Sequence, residues 1–330
     1  MKTFIDPEEN YIVEIPNDWY YTVAKSGNQP STFEPYKDQE SAFQISVKPQ
    51  AENIPDKKVK TEPVGKNDLN LDDVELPNKS HSRVKGWYGL VGDKIVIITL
   101  TYNPKLDKNR IKSELKKAER SKRSFILLDK KSRKTILPEI RWNNLLLSHA
   151  ASIDLSNRAF SNGSHLELVV LLANQIDSIL RQSIILKQQI TYQHDKIDVA
   201  LIHQKDTDQP IFEKKVYQKA KGANIISEDI FQILNDLYKI RNKSIHRFII
   251  SDLRTDDIIQ LVWSYSQLTK TLGQILRNIE QEQFTHQVGL FRGDTPPDSP
   301  VNSEMFNELI SAIRDKHGNR RLNEDITVGK

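Results

Sequence analysis

The sequence predicts an α+β protein in two parts, a mixed sheet-and-helix region over residues 1–128 and an all-helical region over 141–285. Three observations carry this. Apolar residues alternate with period two in short runs that are confined to the first 128 residues. From Pro138 to about Gln283 they recur at helical spacing only. Between the two, Lys130–Thr135 is basic and lacks apolar residues, which reads as part of a linker over 129–140.

Taken in order, Tyr11–Pro16 is a short strand closed by a Pro-Asn-Asp turn, and Trp19–Val23 starts a second. Ala42–Val47 alternates again. Residues 50–80 are polar with scattered Pro and Gly, and predict loops around one short helix. The clearest hairpin joins Val84–Val91 to Ile95–Tyr102 through Gly92-Asp93. Four apolar residues in series, Ile95 to Ile98, predict a strand buried on both faces. Asp107–Arg123 predicts a helix with Ile111, Leu115 and Ala118 on one side, and Ser124–Leu128 a last strand. In the second part, Leu166–Ile190 carries Leu168, Leu172, Ile176, Ile179 and Leu180 at helical spacing, and its apolar fraction predicts burial at the centre of a bundle. Glu228–Ile240 and Thr255–Glu282 predict further amphipathic helices. Residues 286–330 read as a tail, rich in Gly and Pro up to Pro300 and with one short helix over Met305–Ile313.

The first part resembles PsbP-like domains. The residues that carry the likeness are YIVEIPNDWYYTV near the start, FQISVKP in the middle, the Trp87–Tyr102 hairpin, and the helix that leads into SFILL. The resemblance implies an α/β/α sandwich that regulates or binds another protein and has no active site of its own.

Composition excludes several chemistries. The 330 residues contain no Cys, so there is no disulfide, thiol nucleophile or cysteine-bound zinc. No run approaches the ~20 apolar residues of a membrane span. The start, Met1–Pro7, lacks the apolar centre of a signal peptide. A cytoplasmic protein with no membrane contact is the expectation. The eight His include no His-Glu-x-x-His pair, and no glycine-rich phosphate loop is present. His194 and His203, near Asp195 and Asp198, read as a solvated helix end, so neither metal nor cofactor is expected. The net charge of +4 is modest, but Lys105–Lys134 holds thirteen Lys and Arg against four acidic residues. That stripe would attract a polyanion, or be the solvated face of a helix beside a charged linker.

One short stretch points to chemistry: Arg241-Asn242-Lys243-Ser244-Ile245-His246, at the end of a helix-patterned segment. A guanidinium offers a fixed charge and planar donors suited to phosphate. An imidazole takes and gives protons near neutral pH. RNA supplies its own nucleophile, the 2′-hydroxyl, so these two groups suffice for metal-free phosphodiester cleavage. A second Arg-to-His spacing, Arg158 to His165, crosses a turn-like run and has no apolar helix before it. The simpler alternative is a set of basic residues at a helix C-terminus and a core histidine.

RNKSIH resembles the motif of the HEPN family of small helical domains, and His165–Arg181 resembles the family's long helix with its acidic residue and Ile-Leu-Arg run. The likeness covers about 141–285. It implies a helical bundle, ribonuclease activity in many members and inactivity in others, and a dimer whose cleft is lined by the motif. The expected roles are proton transfer by His246, phosphate stabilisation by Arg241, and either orientation of the imidazole or holding of a phosphate oxygen by Asn242. Lys239, Lys243 and Arg247 are expected to contact RNA. Arg241 is expected to line the cleft rather than pack in the core. The function expected is a metal-independent endoribonuclease effector, of toxin or anti-phage defence type. The alternative is an inactive RNA- or protein-binding scaffold. Its partners are RNA, a second copy through the helical part, and a protein for the first part. One difficulty follows from helix geometry: five steps of about 100° set Arg241 and His246 about 140° apart.

Overall fold

A computed structural model of the chain describes residues 1–22, 30–35, 40–49, 72–75, 82–91, 93–204, 208–293 and 296. They form two compact units, one over Met1–Lys134 and one from Thr135 onward.

The first unit is antiparallel sheet with one long helix among its described residues. Strand β1 (Lys2–Ile5) pairs with β2 (Tyr11–Ile15), and β2 with β9 (Ile126–Leu127). A six-stranded sheet has the order β3 (Trp19–Thr22), β4 (Ser31–Pro35), β5 (Ser41–Pro49), β8 (Lys94–Tyr102), β7 (Arg83–Val91) and β6 (Asp72–Glu75). The expected hairpin is present, with Trp87 opposite Ile98 and Val91 opposite Lys94. Strands β1, β4 and β6 were not expected, and β6 falls within residues 50–80, where only loops and one short helix are predicted. Strand β1 is only four residues long, and β4 is bracketed by Pro30 and Pro35. Apart from β6, residues 50–80, where a short helix is expected, lie outside the described residues.

The double burial expected of Ile95–Ile98 does not occur. Val96 and Ile98 are fully buried, whereas Ile97 is 39% exposed. The pleat sends neighbours to opposite faces, and among the described residues only one face is packed. That face carries Trp19, Phe33, Phe43, Trp87 and Leu100. Helix α1 (Lys108–Ser124) contacts β2 and β8, and Asp107 caps its first turn. Its buried Glu114 accepts from the Trp19 indole at 3.0 Å and pairs with Lys117 at 2.7 Å.

The expected linker is helical. Helix α2 runs from Lys130 to Ser161 with Pro138 inside it. Asp129 Oδ1 accepts from the backbone N–H of Ser132 at 2.6 Å, a cap at the helix start, and Arg133 donates to Asn10 at 3.1 Å. Lys130, Lys131, Lys134 and Thr135 are exposed there because they lie on the outer side of a helical turn, and charge alone does not separate that from a loop.

In the second unit, α3 (His165–Tyr192) is the central helix. It is long and apolar enough to cross a membrane by composition, which the count of consecutive apolar residues had not indicated. However, 61% of its most apolar window is buried in this unit. It packs against α7 (Thr255–His286), where Lys187 bridges Glu282 at 2.9 Å. Helix α2 joins the core through Trp142, and Gln175 donates to Ser156 at 2.8 Å. The short α4 (Val199–Ile202), α5 (Glu213–Gly222) and α6 (Glu228–Arg247) complete the unit.

Packing continues beyond residue 285, where the bundle was expected to end. Val288 is buried and Leu290 and Phe291 lie on the core. Gln189 and Gln283, both fully buried, hydrogen-bond each other at 2.8 Å. Their side-chain oxygens accept from the backbone N–H groups of Leu290 and Phe291. The helix expected over Met305–Ile313 lies outside the described residues.

Candidate functional site

Helix α6 runs unbroken through the whole Arg-to-His motif, from a Ser227 cap to Arg247. Its buried residues Leu234, Leu237 and Ser244 define one face. Arg241 lies four residues after Leu237 and seven after Leu234, so it points to that face. The helix does not stop at Ser244, whose hydroxyl donates to the Ile240 carbonyl at 2.9 Å. The angular separation of about 140° between Arg241 and His246 therefore stands within one chain.

The environment of Arg241 corrects one expectation. Its side chain is only 12% exposed and it packs, rather than lining an open cleft. Nη1 donates to Glu213 Oε1 of α5 at 2.5 Å. The guanidinium carbon lies 4.9 Å from the centre of the Tyr238 ring. Burial works against its charge, but Glu213 more than offsets this and raises its pKa. Nε and Nη2 both donate to Asn242 Oδ1, at 3.3 and 3.0 Å. Arg241 and Asn242 are thus brought together. Asn242 precedes His246 by four residues and shares its side of the helix.

Around Arg241 the polar network extends inward. Tyr217 donates to Glu213 Oε2 at 3.3 Å. Asp177 of α3 pairs with Arg181 at 2.6 Å, and Arg181 donates to the Leu201 and Ile211 carbonyls at 2.6 and 2.9 Å. Burial raises the Asp177 carboxyl above its usual range, and Arg181 pulls the other way. Burial likewise raises the phenols of Tyr217 and Tyr265, which stay neutral. Glu213, Asp177 and the tyrosines were not singled out in the sequence. The Ile-Leu-Arg run drew attention to Arg181, but nothing in its spacing announces that it holds two carbonyls.

Apart from the buried Ser244, the other motif residues face solvent. His246 is exposed, which removes the core-histidine reading. Lys243 and Arg247 are exposed, and Lys239 pairs with Asp236 at 2.8 Å. The same helix end carries exposed apolar residues: Ile233, Ile240 and Ile245 on α6, then Ile249 and Ile250 in a 3-10 turn over Phe248–Ile250. Ile249 is 96% and Ile250 82% exposed. Of the second Arg-to-His pair, Arg158 is tied to Asp154 at 3.0 Å and His165 opens α3. Among the described residues no three His, Asp or Glu side chains are grouped as metal ligands.

Comparison with known proteins adds little to this geometry. No protein-family model matches the chain, and no curated protein matches it. Among solved structures, it is similar to cyanobacterial PsbP (CyanoP) from Synechocystis sp. PCC 6803. There the TM-score is 0.29 at 9% identity, over 38% of this chain and 92% of the other. It is also similar to a protein from Bacteroides thetaiotaomicron VPI-5482, with a TM-score of 0.30 at 12% identity, over 54% of this chain and 77% of that one.

Proposed function

We propose that the helical unit is a HEPN-like, metal-independent endoribonuclease that works as a homodimer, and that the first unit is a PsbP-like domain for regulation or protein binding. The observation that carries the reading is the disposition of Arg241 and Asn242. Arg241 is anchored by Glu213 through one nitrogen and turns its other two donors toward Asn242, on the side of α6 that bears His246. A phosphate oxygen that takes the place of Asn242 Oδ1 would receive both donors. Glu213 balances the charge of Arg241, so attraction of the strand falls to Lys243, Arg247 and Lys239. His246 then moves the proton, taking it from the 2′-hydroxyl or giving it to the leaving oxygen.

A second copy explains two features at once. It would cover the exposed isoleucines of α6 and its 3-10 turn, which are unusual on an unpartnered surface. It would also set the His246 of one copy opposite the Arg241 side of the other across a two-fold axis. Such an enzyme fits a cytoplasmic effector of toxin or anti-phage defence type. The Glu213 ion pair favours a second reading, a binding scaffold without cleavage, because it gives Arg241 a structural task.

Incubation of the purified chain with labelled RNA in chelator decides between them. Cleavage that leaves a 2′,3′-cyclic phosphate, and that falls about 10²–10⁴-fold in His246→Ala, supports the enzyme. RNA retained but intact supports the scaffold. Ile249→Asp with Ile250→Asp should give a monomer in light scattering, without activity. An active monomer would exclude the composite site.

A further inference from the structure

A cleft of about 370 Å³ opens beside the end of α6. Its apolar wall is formed by Phe248, Ile258 and Leu166, and its polar rim by Ser164, His165, Glu167 and Thr255. Its volume falls in the range of small-ligand sites, roughly 300–1,000 Å³. Ser164 is the cap residue of α3, yet its hydroxyl makes no cap hydrogen bond. The side chains of His165, Glu167 and Thr255 also have no hydrogen-bond partner among the described residues. Apolar walls around a few unspent polar groups are what a flat heterocycle with a polar edge requires.

Position narrows the ligand. Phe248 stands two residues after His246, so their Cα atoms are within about 7.6 Å. Arg247 lies between them and is exposed. A nucleotide whose phosphate reaches His246 can place its base against Phe248. The carboxylate of Glu167 disfavours a bare phosphate in the cleft and accepts from an amino group instead. We propose that this cleft takes the nucleobase next to the scissile phosphate and prefers a base with an exocyclic amino group, adenine, cytosine or guanine, over uracil. The inference rests on the ribonuclease reading for the identity of its ligand, and it assigns His165 a place in base recognition instead of a second catalytic pair with Arg158.

The test measures binding without cleavage. Fluorescent 2′-O-methyl oligonucleotides cannot be cut and are titrated by anisotropy. Oligo-A and oligo-C should bind about tenfold more tightly than oligo-U. Glu167→Ala should remove that preference and leave oligo-U binding unchanged. Phe248→Leu keeps an apolar side chain but loses the stacking plane, so it should weaken all three about tenfold. If Phe248→Leu unfolds the protein, His165→Ala serves in its place and should weaken the same interactions. Equal affinity for the three oligonucleotides, or no binding to any, overturns the proposal. Base-selective binding by a protein that never cuts unmodified RNA would leave the cleft and remove the enzyme. Cleavage dependent on His246 with no base preference would do the reverse.

Discussion

Removing the Arg241 side chain should cost stability before it costs catalysis. Loss of one partner from a buried ion pair costs about 3–5 kcal/mol, because the other charge is left uncompensated. Arg241 and Glu213 are 12% and 19% exposed, and Glu213 keeps its hydrogen bond from Tyr217, so the lower end applies. Arg241→Ala is therefore expected to destabilise the helical unit by about 3 kcal/mol, including the contact with the Tyr238 ring. Glu213→Ala should cost nearly as much, since it strands a guanidinium beside two phenols. The double variant should cost about 2 kcal/mol less than the sum of the two. Urea unfolding of the full chain at neutral pH, followed by circular dichroism, measures all four corners of the cycle. A coupling energy below about 0.5 kcal/mol, or an Arg241→Ala variant as stable as the parent, would refute the structural account of this pair. The consequence for the RNA assay is direct. Loss of cleavage in Arg241→Ala is interpretable only beside His246→Ala, because His246 is exposed and leaves the fold intact.

Two further outcomes follow from groups distant from the motif. Gly289 has φ +76°, and an added Cβ would lie 2.6 Å from Gln189 Oε1 and collide with the Gln283 amide. Gly289→Ala should cost about 3 kcal/mol, from the left-handed backbone and the broken amide pair together, and a thermal midpoint unchanged from the parent would contradict this. His149 of α2 is half-buried, its Nδ1 has no partner among the described residues, and burial lowers its pKa below the usual 6.5. The unfolded chain then takes up a proton first as pH falls, so this contribution is complete above about pH 6.5 and is lost below it, by at most ~1.4 kcal/mol per pH unit. His149→Leu should flatten the difference in melting temperature between pH 8 and pH 5, and an unaltered difference would show that His149 does not carry it.

Much of this was legible in the sequence. The periodicity that predicts α6 also places Arg241 behind Leu234 and Leu237, on the packed face. What it could not supply is Glu213, 28 residues away on another helix. An inward arginine needs a partner that only tertiary structure provides, and without it the residue reads as a cleft ligand. The hairpin of β7 and β8 was readable because register follows from the short turn. The exposure of Ile97 was not, since four apolar residues in series look the same whether one face is covered or two. The first turn of α2 was obscured by its charge, although Asp129 ahead of strong helix formers is a start signal.

The glutamine pair at the end of α7 sets the smallest fragment that can be prepared alone. Periodicity stops near residue 285, and a fragment cut there would look complete by pattern. It would lack the N–H groups of Leu290 and Phe291, which the side-chain oxygens of Gln189 and Gln283 accept from. The buried amides would keep only each other and the carbonyls of Leu186 and Lys196. Gln283 Oε1 would be left unmatched in the interior, at a cost of about 1–3 kcal/mol, enough to make a truncated unit aggregate for reasons unrelated to its chemistry. Preparations of the helical unit should extend through Arg292, which also reaches Asp195 at 3.1 Å.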